Sequence, residues 1–271
     1  MFEIAMSLAR IASVLLLFCT QAVLAAEPAP LRWCYEDIAA KPWTLPNENG
    51  LNALLLKRVE KMLGERFVYV ARPWKRCLEE MRRGDFDGIF AAADSEERRT
   101  FGVFPTLPNG EADPTRALHE DVFQVFLRKD GAASWDGKLL QVPSNGVLVQ
   151  RGYVIGGVLR ERGFDVREVT NSAADGLRQL AAGMFDVAVL QGLESDVLLR
   201  SHTTWSAKVT KAPMPYATRP MYLFVGTAVY ERDPKRIETI WASIAAIRKT
   251  PAYRTQETKA LRQLTQLKAH D

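Results

Sequence analysis

Apolar and polar residues alternate along the chain in blocks whose spacing predicts strands and helices in turn. Residues 31–35 form a short, mostly apolar run that indicates a strand, whereas residues 51–63 repeat apolar side chains at helical intervals. The helical stripe consists of Leu51, Leu55, Val59 and Met62. The pattern continues with a strand at 67–70, a helix at 74–83 and a strand at 88–92.

The same layout occurs twice, which is the most informative pattern in the sequence. Gly64 and Gly84 lie 20 residues apart, and so do Gly163 and Gly183. Each second glycine is followed by Phe and Asp at the same offsets, and then by a short apolar run. Glycine ends a helix by adopting a positive φ, and such apolar runs are typical of strands buried on both faces. Each unit therefore predicts a strand and a helix between two glycine stops, followed by another strand.

A strand and a helix precede each of these units. In the second half of the chain the predicted elements are a strand at 147–150, a helix at 154–162, a strand at 165–169, a helix at 173–182 and a strand at 187–190. Alternating strands and helices form parallel sheets with helices on their faces. We therefore predict an α/β fold of two lobes. Each lobe is a mainly parallel sheet flanked by helices, and a ligand cleft lies between them.

Two proline-rich segments mark where the chain passes between the lobes. Segment 105–121 leads into a strand at 122–128, and segment 212–220 leads into a strand at 221–225. Two crossings indicate that the first lobe is discontinuous. The predicted organisation is a signal peptide at 1–25, lobe I at 26–120 and 222–271, and lobe II at 121–221. Helices predicted at 234–249 and 251–268 close the chain.

Composition and charge narrow the class of protein. Of 271 residues, 47% are apolar and 25% are charged, with 17 Gly, 14 Pro and 3 Cys. These values exclude a disordered chain, a disulfide scaffold and a coiled coil. The balance of 36 Lys and Arg against 32 Asp and Glu gives a net charge of +4, and the charges are interspersed. Because a phosphate backbone is bound by a basic patch, we expect no nucleic-acid partner.

The chain opens with an apolar run at residues 11–26. It is shorter than the ~20 residues that span a bilayer, and small residues near its end suit signal-peptide cleavage. We interpret it as a secretory signal, with an uncleaved anchor as the alternative. The sequence leaves two alternatives for each end of this signal: translation starts at Met1 or Met6, and cleavage follows Ala25 or Ala26. We therefore expect a periplasmic protein with no membrane insertion after cleavage.

Signal removal changes the cysteine count. Cys19 leaves with the signal, so the exported chain contains only Cys34 and Cys77. Two thiols in an oxidising compartment tend to pair, which predicts a disulfide between them. The alternative is a pair of buried free thiols.

Several motifs together resemble one protein family. Residues 84–88 (Gly-Asp-Phe-Asp-Gly), 90–98 (Phe-Ala-Ala-Ala-Asp-Ser-Glu-Glu-Arg) and 104–105 (Phe-Pro) resemble the family 3 bacterial extracellular solute-binding proteins, the periplasmic components of polar amino-acid uptake systems. Residues 135–138 (Trp-Asp-Gly-Lys) and 150–153 (Gln-Arg-Gly-Tyr) are also similar to that family. Residues 33–36 (Trp-Cys-Tyr-Glu) and 72–77 (Arg-Pro-Trp-Lys-Arg-Cys) resemble a divergent branch of it. The resemblance covers about residues 31–255 and implies a type II periplasmic binding protein, whose two lobes close on a small solute by hinge motion.

The resemblance places Arg98 where the family carries the arginine that grips a ligand carboxylate. The planar guanidinium suits bidentate pairing with such a group. We expect Asp94 or Ser95 to cap the short helix that carries Arg98. The alternative is a surface arginine paired with Glu96 or Glu97.

Aromatic residues follow the predicted strands of the first lobe. Tyr35, Trp43 and Trp74 occupy loop positions near the carboxyl ends of strands, where α/β folds bind ligands. We expect them to form stacking walls of the cleft, with packing in the lobe core as the alternative. Glu36 lies at the same end of its strand and is available to meet a cation.

The second lobe contributes residues at a strand-to-helix junction. Gly152 and Tyr153 precede a helix whose free N–H groups accept an anion, and Gly152 matches the family's glycine at that turn. Gln191 stands about where amino-acid binders carry an aspartate for the ligand's ammonium group. Ala91 begins an alanine run where relatives supply hydroxyls. These departures weaken the assignment of an amino acid and leave general solute binding intact.

Catalysis has little support in the sequence. His119, His202 and His270 are scattered, without metal-ligand spacing, and no nucleophile elbow or phosphate loop is present. We expect no enzyme activity, metal or cofactor. The predicted function is that of a monomeric periplasmic solute-binding protein that captures a small, polar, carboxylate-bearing solute for an ABC-type permease. The alternatives are a sensory module for a receptor or kinase, and a lyase similar to cyclohexadienyl dehydratase with Glu36 as acid or base.

Overall fold

The computed structural model describes residues 29–143 and 145–266. The strands are β1 (Leu31–Glu36), β2 (Phe67–Arg72), β3 (Gly88–Ala93), β4 (Gly102–Val103), β5 (His119–Arg128), β6 (Ser134–Trp135), β7 (Leu140–Gln141), β8 (Val147–Gln150), β9 (Val166–Thr170), β10 (Val187–Gln191) and β11 (Val209–Gly226). The helices are α1 (Leu51–Leu63), α2 (Trp74–Arg82), α3 (Glu96–Arg99), α4 (Val154–Glu161), α5 (Ala173–Ala181), α6 (Gly192–Ser201), α7 (Thr203–Ser206), α8 (Thr227–Arg232), α9 (Pro234–Arg248) and α10 (Pro251–Gln266), with a 3-10 turn at Pro114–Arg116. The predicted signal peptide lies outside the described residues.

The strands form two parallel sets joined by two long antiparallel strands. The strand order is β2-β1-β3-β11-β5-β10-β8-β9, and β4 also pairs with β11. Strand β1 is parallel to β2 and β3, and β8 is parallel to β9 and β10. Strands β5 and β11 are antiparallel to each other and to their other neighbours. The predicted two-lobed α/β architecture is confirmed, with the β2-β1-β3 set in one lobe and the β10-β8-β9 set in the other.

The crossing segments are longer strands than the sequence predicts. Residues 212–220, predicted as a proline-rich segment ahead of the strand, belong to β11, and β5 begins at His119. The pairing of β11 with β5 shifts register on either side of Pro215. Proline has no N–H to donate to the ladder, so it is accommodated at such irregularities. The proline signal therefore marks local breaks in strand pairing, and the prediction that this strand begins only at residue 221 is wrong.

Helix packing follows the predicted hydrophobic stripes with one exception. In α1 the side chains of Leu51, Leu55 and Val59 are buried against the sheet. Met62, predicted to continue the stripe, is 52% exposed. Burial thus ends one turn before α1 does. Helices α6, α7 and α8 have no counterpart among the sequence predictions.

The predicted disulfide is confirmed. Cys34 on β1 is bonded to Cys77 on α2, with the two Cα atoms 5.7 Å apart and a sequence separation of 43. Both cysteines are fully buried. The bond ties β1 to α2 close to Glu36 and Trp74, two of the residues that face the cleft.

Gly88 lies where strand β3 closely approaches the backbone of strand β11. A Cβ at this position would lie 2.3 Å from the Phe224 carbonyl oxygen and 2.8 Å from the Trp33 ring. Since a backbone oxygen cannot move aside cheaply, we expect Gly88→Ala to destabilise the protein by about 2–3 kcal/mol or more. Chemical denaturation measures the change.

Gly157 on α4 provides the matched control, because a Cβ there meets nothing within 4 Å. Alanine favours helix over glycine by up to about 1 kcal/mol, so Gly157→Ala is expected to equal or exceed the wild type in stability. Equal stability of the two variants would contradict the packing argument.

Candidate functional site

A small cavity lies between the two lobes. Its walls come from the ends of β1 and β3, from the starts of α2 and α4, from α3, and from the end of β10. The long strands β5 and β11 contribute its floor through His119, Asp121, Phe123 and Met221. Six of the predicted site residues line this cavity: Glu36, Trp74, Ala91, Arg98, Tyr153 and Gln191.

Arg98 is a buried cation at the junction of the lobes, with 5% of its surface exposed. Ser95 is one of the two residues predicted to cap helix α3. Its hydroxyl oxygen accepts a hydrogen bond from the Arg98 backbone N–H at 3.3 Å. The guanidinium donates to the carbonyl oxygens of Ala93 at 2.6 Å and Gly152 at 3.2 Å. It also lies over the Trp74 ring, 5.2 Å from the centroid. Burial lowers the pKa of Arg98 to about 10, which leaves the side chain charged at neutral pH.

Glu36 and Tyr153 connect the lobes on another side of the cavity. The Tyr153 hydroxyl donates to Glu36 Oε2 at 2.6 Å, and Glu36 is 9% exposed. Burial raises the pKa of Glu36 to about 8, with Asp37 and Asp121 adding to the rise and the Tyr153 hydrogen bond opposing it. At neutral pH Glu36 is therefore mainly a neutral acid, able to donate as well as accept a hydrogen bond.

The raised pKa of Glu36 makes a pH-dependent contribution to stability. A carboxyl with an ordinary pKa of 4.5 that rises to about 8 on folding opposes folding progressively as pH increases between those values. We expect the stability of the wild type to fall from pH 5 to pH 8 relative to Glu36→Gln, by less than about 4 kcal/mol at ~1.4 kcal/mol per pH unit. Thermal unfolding of both proteins across this range measures the difference.

Glu97 supplies the comparison for this experiment, since its side chain is 81% exposed. Glu97→Gln should show no comparable pH-dependent difference from the wild type. A constant gap between the wild type and Glu36→Gln from pH 5 to pH 8 would contradict the raised pKa.

Strand β5 supplies two polar side chains that the sequence analysis did not select. His119 and Asp121 are each 1% exposed, and both line the cavity. Asp121 accepts a hydrogen bond from the Gln191 side chain and another from the Val122 N–H at 2.9 Å. Residues i and i+2 of a strand point to the same face, so strand periodicity from residue 119 was the signal that would have found this pair. The sequence analysis instead placed these residues in the proline-rich segment 105–121, ahead of the strand predicted at 122–128.

Ala91 has an unusual backbone conformation at the cavity wall. Its φ is +64°, in the left-handed region that side chains other than glycine rarely adopt. Such strain costs about 1–3 kcal/mol and concentrates at binding sites. The conformation accompanies a bulge in which β11 shifts register against β3 between Tyr222 and Leu223.

Three predicted residues lie behind the cavity rather than on it. Tyr35 packs in the core of the first lobe, stacked on Phe90 at 4.8 Å, and its hydroxyl donates to the Pro46 carbonyl at 2.8 Å. Trp43 stacks on the His119 ring at 4.3 Å. Both aromatics therefore follow the packing alternative and support lining residues from behind.

The third, Gly152, has φ +74° and presents its backbone to the first lobe. Its carbonyl oxygen accepts from Arg98 and from Trp74 Nε1, the latter at 3.0 Å. Its N–H donates to the Glu168 carboxylate at 3.1 Å. Because Glu168 occupies this N–H, the structure gives no support to an anion at this point of the helix start.

Residues 29–143 and 145–266 contain neither a cluster of metal ligands nor a helix that could span a membrane. No group of three or more His, Cys, Asp or Glu side chains in these ranges is arranged to hold a metal ion. None of the helices in the same ranges has the length and apolar character needed to cross a membrane.

The fold is that of the two-lobed periplasmic binding proteins. No family model and no curated protein matches the chain. Solved structures do match it, among them a histidine kinase sensor domain with similarity to periplasmic binding proteins. That structure has a TM-score of 0.67 and 19% identity, over 86% of this chain and 96% of the other.

Two further structures are similar over nearly their full length. The arginine-bound amino acid ABC transporter substrate-binding protein AbpA from Streptococcus pneumoniae has a TM-score of 0.64 and 12% identity, over 88% of this chain and 97% of its own. The ancestral amino acid-binding protein AncCDT-1, a precursor of cyclohexadienyl dehydratase, has a TM-score of 0.61 and 16% identity, over 86% and 95%. These likenesses establish the fold that the family resemblance implies.

Proposed function

We propose that this protein is a periplasmic solute-binding protein that captures a small, polar solute by its carboxylate group. One observation carries the proposal: the buried Arg98 guanidinium faces the inter-lobe cavity without a carboxylate partner. Among residues 29–143 and 145–266, no Asp or Glu oxygen lies within 4.0 Å of it. A buried cation is costly unless it is paired, so an anionic ligand is the missing partner.

The geometry of Arg98 suits a carboxylate. Its hydrogen bonds to the Ala93 and Gly152 carbonyls fix the plane of the guanidinium and use only part of its donor set. The remaining N–H groups form a fork of the kind that binds carboxylates bidentately. Trp74 packs against one face of the guanidinium and holds it in place.

Contacts across the cleft support capture by lobe closure. Besides the Arg98 and Trp74 bonds to Gly152, the Lys41 N–H donates to the Glu194 carboxylate at 3.0 Å. Together with the bond between Tyr153 and Glu36, these join opposite walls of the cavity. Lobe boundaries at residues 121 and 221 would place the hinge in β5 and β11, and closure by hinge motion encloses the solute.

The expected partner is an ABC-type permease, with export through the signal peptide and a monomer in solution. No cofactor is required for binding. The kinase sensor domain among the structural relatives supports the sensory alternative, in which the same capture step reports to a receptor. Gene neighbourhood separates the two, because a permease gene and an ATPase gene favour uptake.

A lyase is the alternative from another class. The AncCDT-1 likeness and the raised pKa of Glu36, about 8, together favour it, because a buried carboxylic acid that is neutral at pH 7 is suited to general acid catalysis. Incubating the pure protein with candidate substrates and following product formation tests this activity. Turnover by the wild type that is lost in Glu36→Gln would show that the protein is a lyase and would overturn the binding proposal.

A thermal-shift screen of a solute library tests the binding proposal directly. A ligand that binds only the folded protein stabilises it by RT ln(1 + [L]/Kd), about 2.7 kcal/mol at 100 times Kd. We expect the stabilising compounds to share a carboxylate. A set of stabilising compounds that lacks carboxylates would overturn the role given to Arg98.

A further inference from the structure

Two hydrogen-bond acceptors face each other on the hinge strand inside the cavity. His119 Nε2 lies 3.9 Å from Asp121 Oδ2, which is too long for a hydrogen bond between them. Within residues 29–143 and 145–266, no donor lies at hydrogen-bond distance from His119 Nε2. Both side chains are 1% exposed, so bulk water reaches neither of them freely.

The protonation of His119 follows from its neighbours. Asn52 Nδ2 donates to Thr44 Oγ1 at 3.2 Å, which directs Asn52 Oδ1 toward the imidazole. His119 Nδ1 lies 3.0 Å from that oxygen and therefore carries the ring proton. Burial lowers the pKa of His119, with Asp121 opposing the shift, so the ring is neutral at pH 7. His119 Nε2 is left as a lone-pair acceptor.

The surroundings hold both acceptors in place. Trp43 stacks on the His119 ring at 4.3 Å and fixes its plane. Gln191 donates its side-chain amide to Asp121 Oδ2, and the Val122 N–H donates to Asp121 Oδ1. Two fixed acceptors side by side repel each other until a donor enters between them.

We propose that His119 and Asp121 form a donor-binding subsite, so that the captured solute carries an N–H or O–H group in addition to its carboxylate. The inference rests on the proposed function for the carboxylate end, which Arg98 holds. Arg98 and the pair line the same cavity, so one small molecule can reach both. Gln191 acts as a positioning residue for Asp121, and the ammonium or hydroxyl of the solute is recognised from the hinge strand.

Butanoate and its 2-amino, 4-amino, 2-hydroxy and 4-hydroxy derivatives are the probes. All five probes share the carboxylate and the four-carbon skeleton. The derivatives add a charged (amino) or neutral (hydroxy) hydrogen-bond donor, either next to the carboxylate at position 2 or at the far end at position 4. In calorimetric titrations of the purified protein, we expect at least one donor-bearing probe to bind 10-fold or more tightly than butanoate, as hydrogen bonds to charged groups allow. The amino and hydroxy arms show which kind of donor the pair prefers.

Asp121→Asn is the test variant. An asparagine whose Nδ2 replaces Oδ2 can donate to His119 Nε2 and to the Gln191 side-chain oxygen once that amide is turned over, while its Oδ1 still accepts the Val122 N–H, which satisfies the pair internally. We expect the ratio of the affinity for the donor-bearing probe to the affinity for butanoate to fall to less than about threefold. Asp186→Asn is the matched control, because Asp186 is a buried carboxylate that pairs with Arg128 away from the cavity. It should keep the wild-type preference.

The outcomes separate this inference from the proposed function. If butanoate binds as tightly as every derivative, or if Asp121→Asn keeps the preference, the subsite is refuted while carboxylate capture stands. Arg98→Ala tests capture itself, since it should weaken all five probes alike. Nitrogen-15 NMR of the histidines, assigned with His119→Gln, gives an independent test without a ligand. A proton on Nε2 of His119 at pH 7 would overturn the proposal.

Discussion

Replacing Arg98 by alanine is expected to weaken binding of carboxylate solutes by at least about 100-fold, because truncating one partner of a buried, hydrogen-bonded charge pair costs about 2–5 kcal/mol. The side chain is the only guanidinium that lines the cavity within the described ranges 29–143 and 145–266. Calorimetric titration with a carboxylate identified in the thermal-shift screen measures the loss. Circular dichroism confirms that the variant is folded.

Two other variants sharpen this result. Arg98→Lys keeps the charge and loses the planar fork, so we expect an intermediate loss of roughly 10-fold. Arg99→Ala is the matched control on the same helix, since Arg99 pairs with Asp94 and the Gly110 carbonyl outside the cavity. Equal losses for Arg98→Ala and Arg99→Ala would mean that the carboxylate does not bind at Arg98.

Loss of the disulfide between Cys34 and Cys77 is expected to produce the largest change in stability. Opening a loop of 43 residues costs about 4 kcal/mol in the chain-entropy description. For a protein of this size that corresponds to a fall in Tm of roughly 8–16 °C. Calorimetry of the oxidised protein and of the Cys34→Ala, Cys77→Ala double variant measures the difference.

The reducing agent itself provides the control. Reduction should lower the Tm of the wild type to near that of the double variant and leave the double variant unchanged. Two free thiols in the denatured, unreduced wild type, or a Tm that does not respond to reduction, would show that the bond does not form. Because the bond ties β1 to α2, its loss should also loosen the placement of Glu36 and Trp74.

The periodic elements were predictable because their signals are local. The helix at Leu51–Leu63 and the strand at Val147–Gln150 have the predicted bounds, and the two glycine-spaced units form parallel strands with intervening helices. The long strand β11 was not predictable in full, since its prolines break the strand signal that pairing with β5 and β3 restores. Local sequence does not report such pairing partners.

Some residues of the candidate site were likewise predictable from local sequence signals, and others were not. Arg98 and Trp74 were found because a motif or a strand end marked them, and both line the cavity. Tyr35 and Trp43 carried the same kind of signal yet pack behind it, because the side-chain direction of a loop aromatic depends on its neighbours. His119 and Asp121 lie in the segment 105–121, which the sequence analysis placed ahead of the strand. In the structure both belong to strand β5 and line the cavity.

The sequence by itself determined the two α/β lobes, the crossings between them, the cysteine pair and the arginine at the cleft, since each depends on short-range spacing or on residue chemistry. Only the tertiary structure decided which polar groups meet. The raised pKa of Glu36, its bond to Tyr153 and the short separation of His119 and Asp121 on β5 all arise where the two lobes meet. Burial and the approach of residues distant in sequence create these properties, and neither is encoded at any single position of the chain.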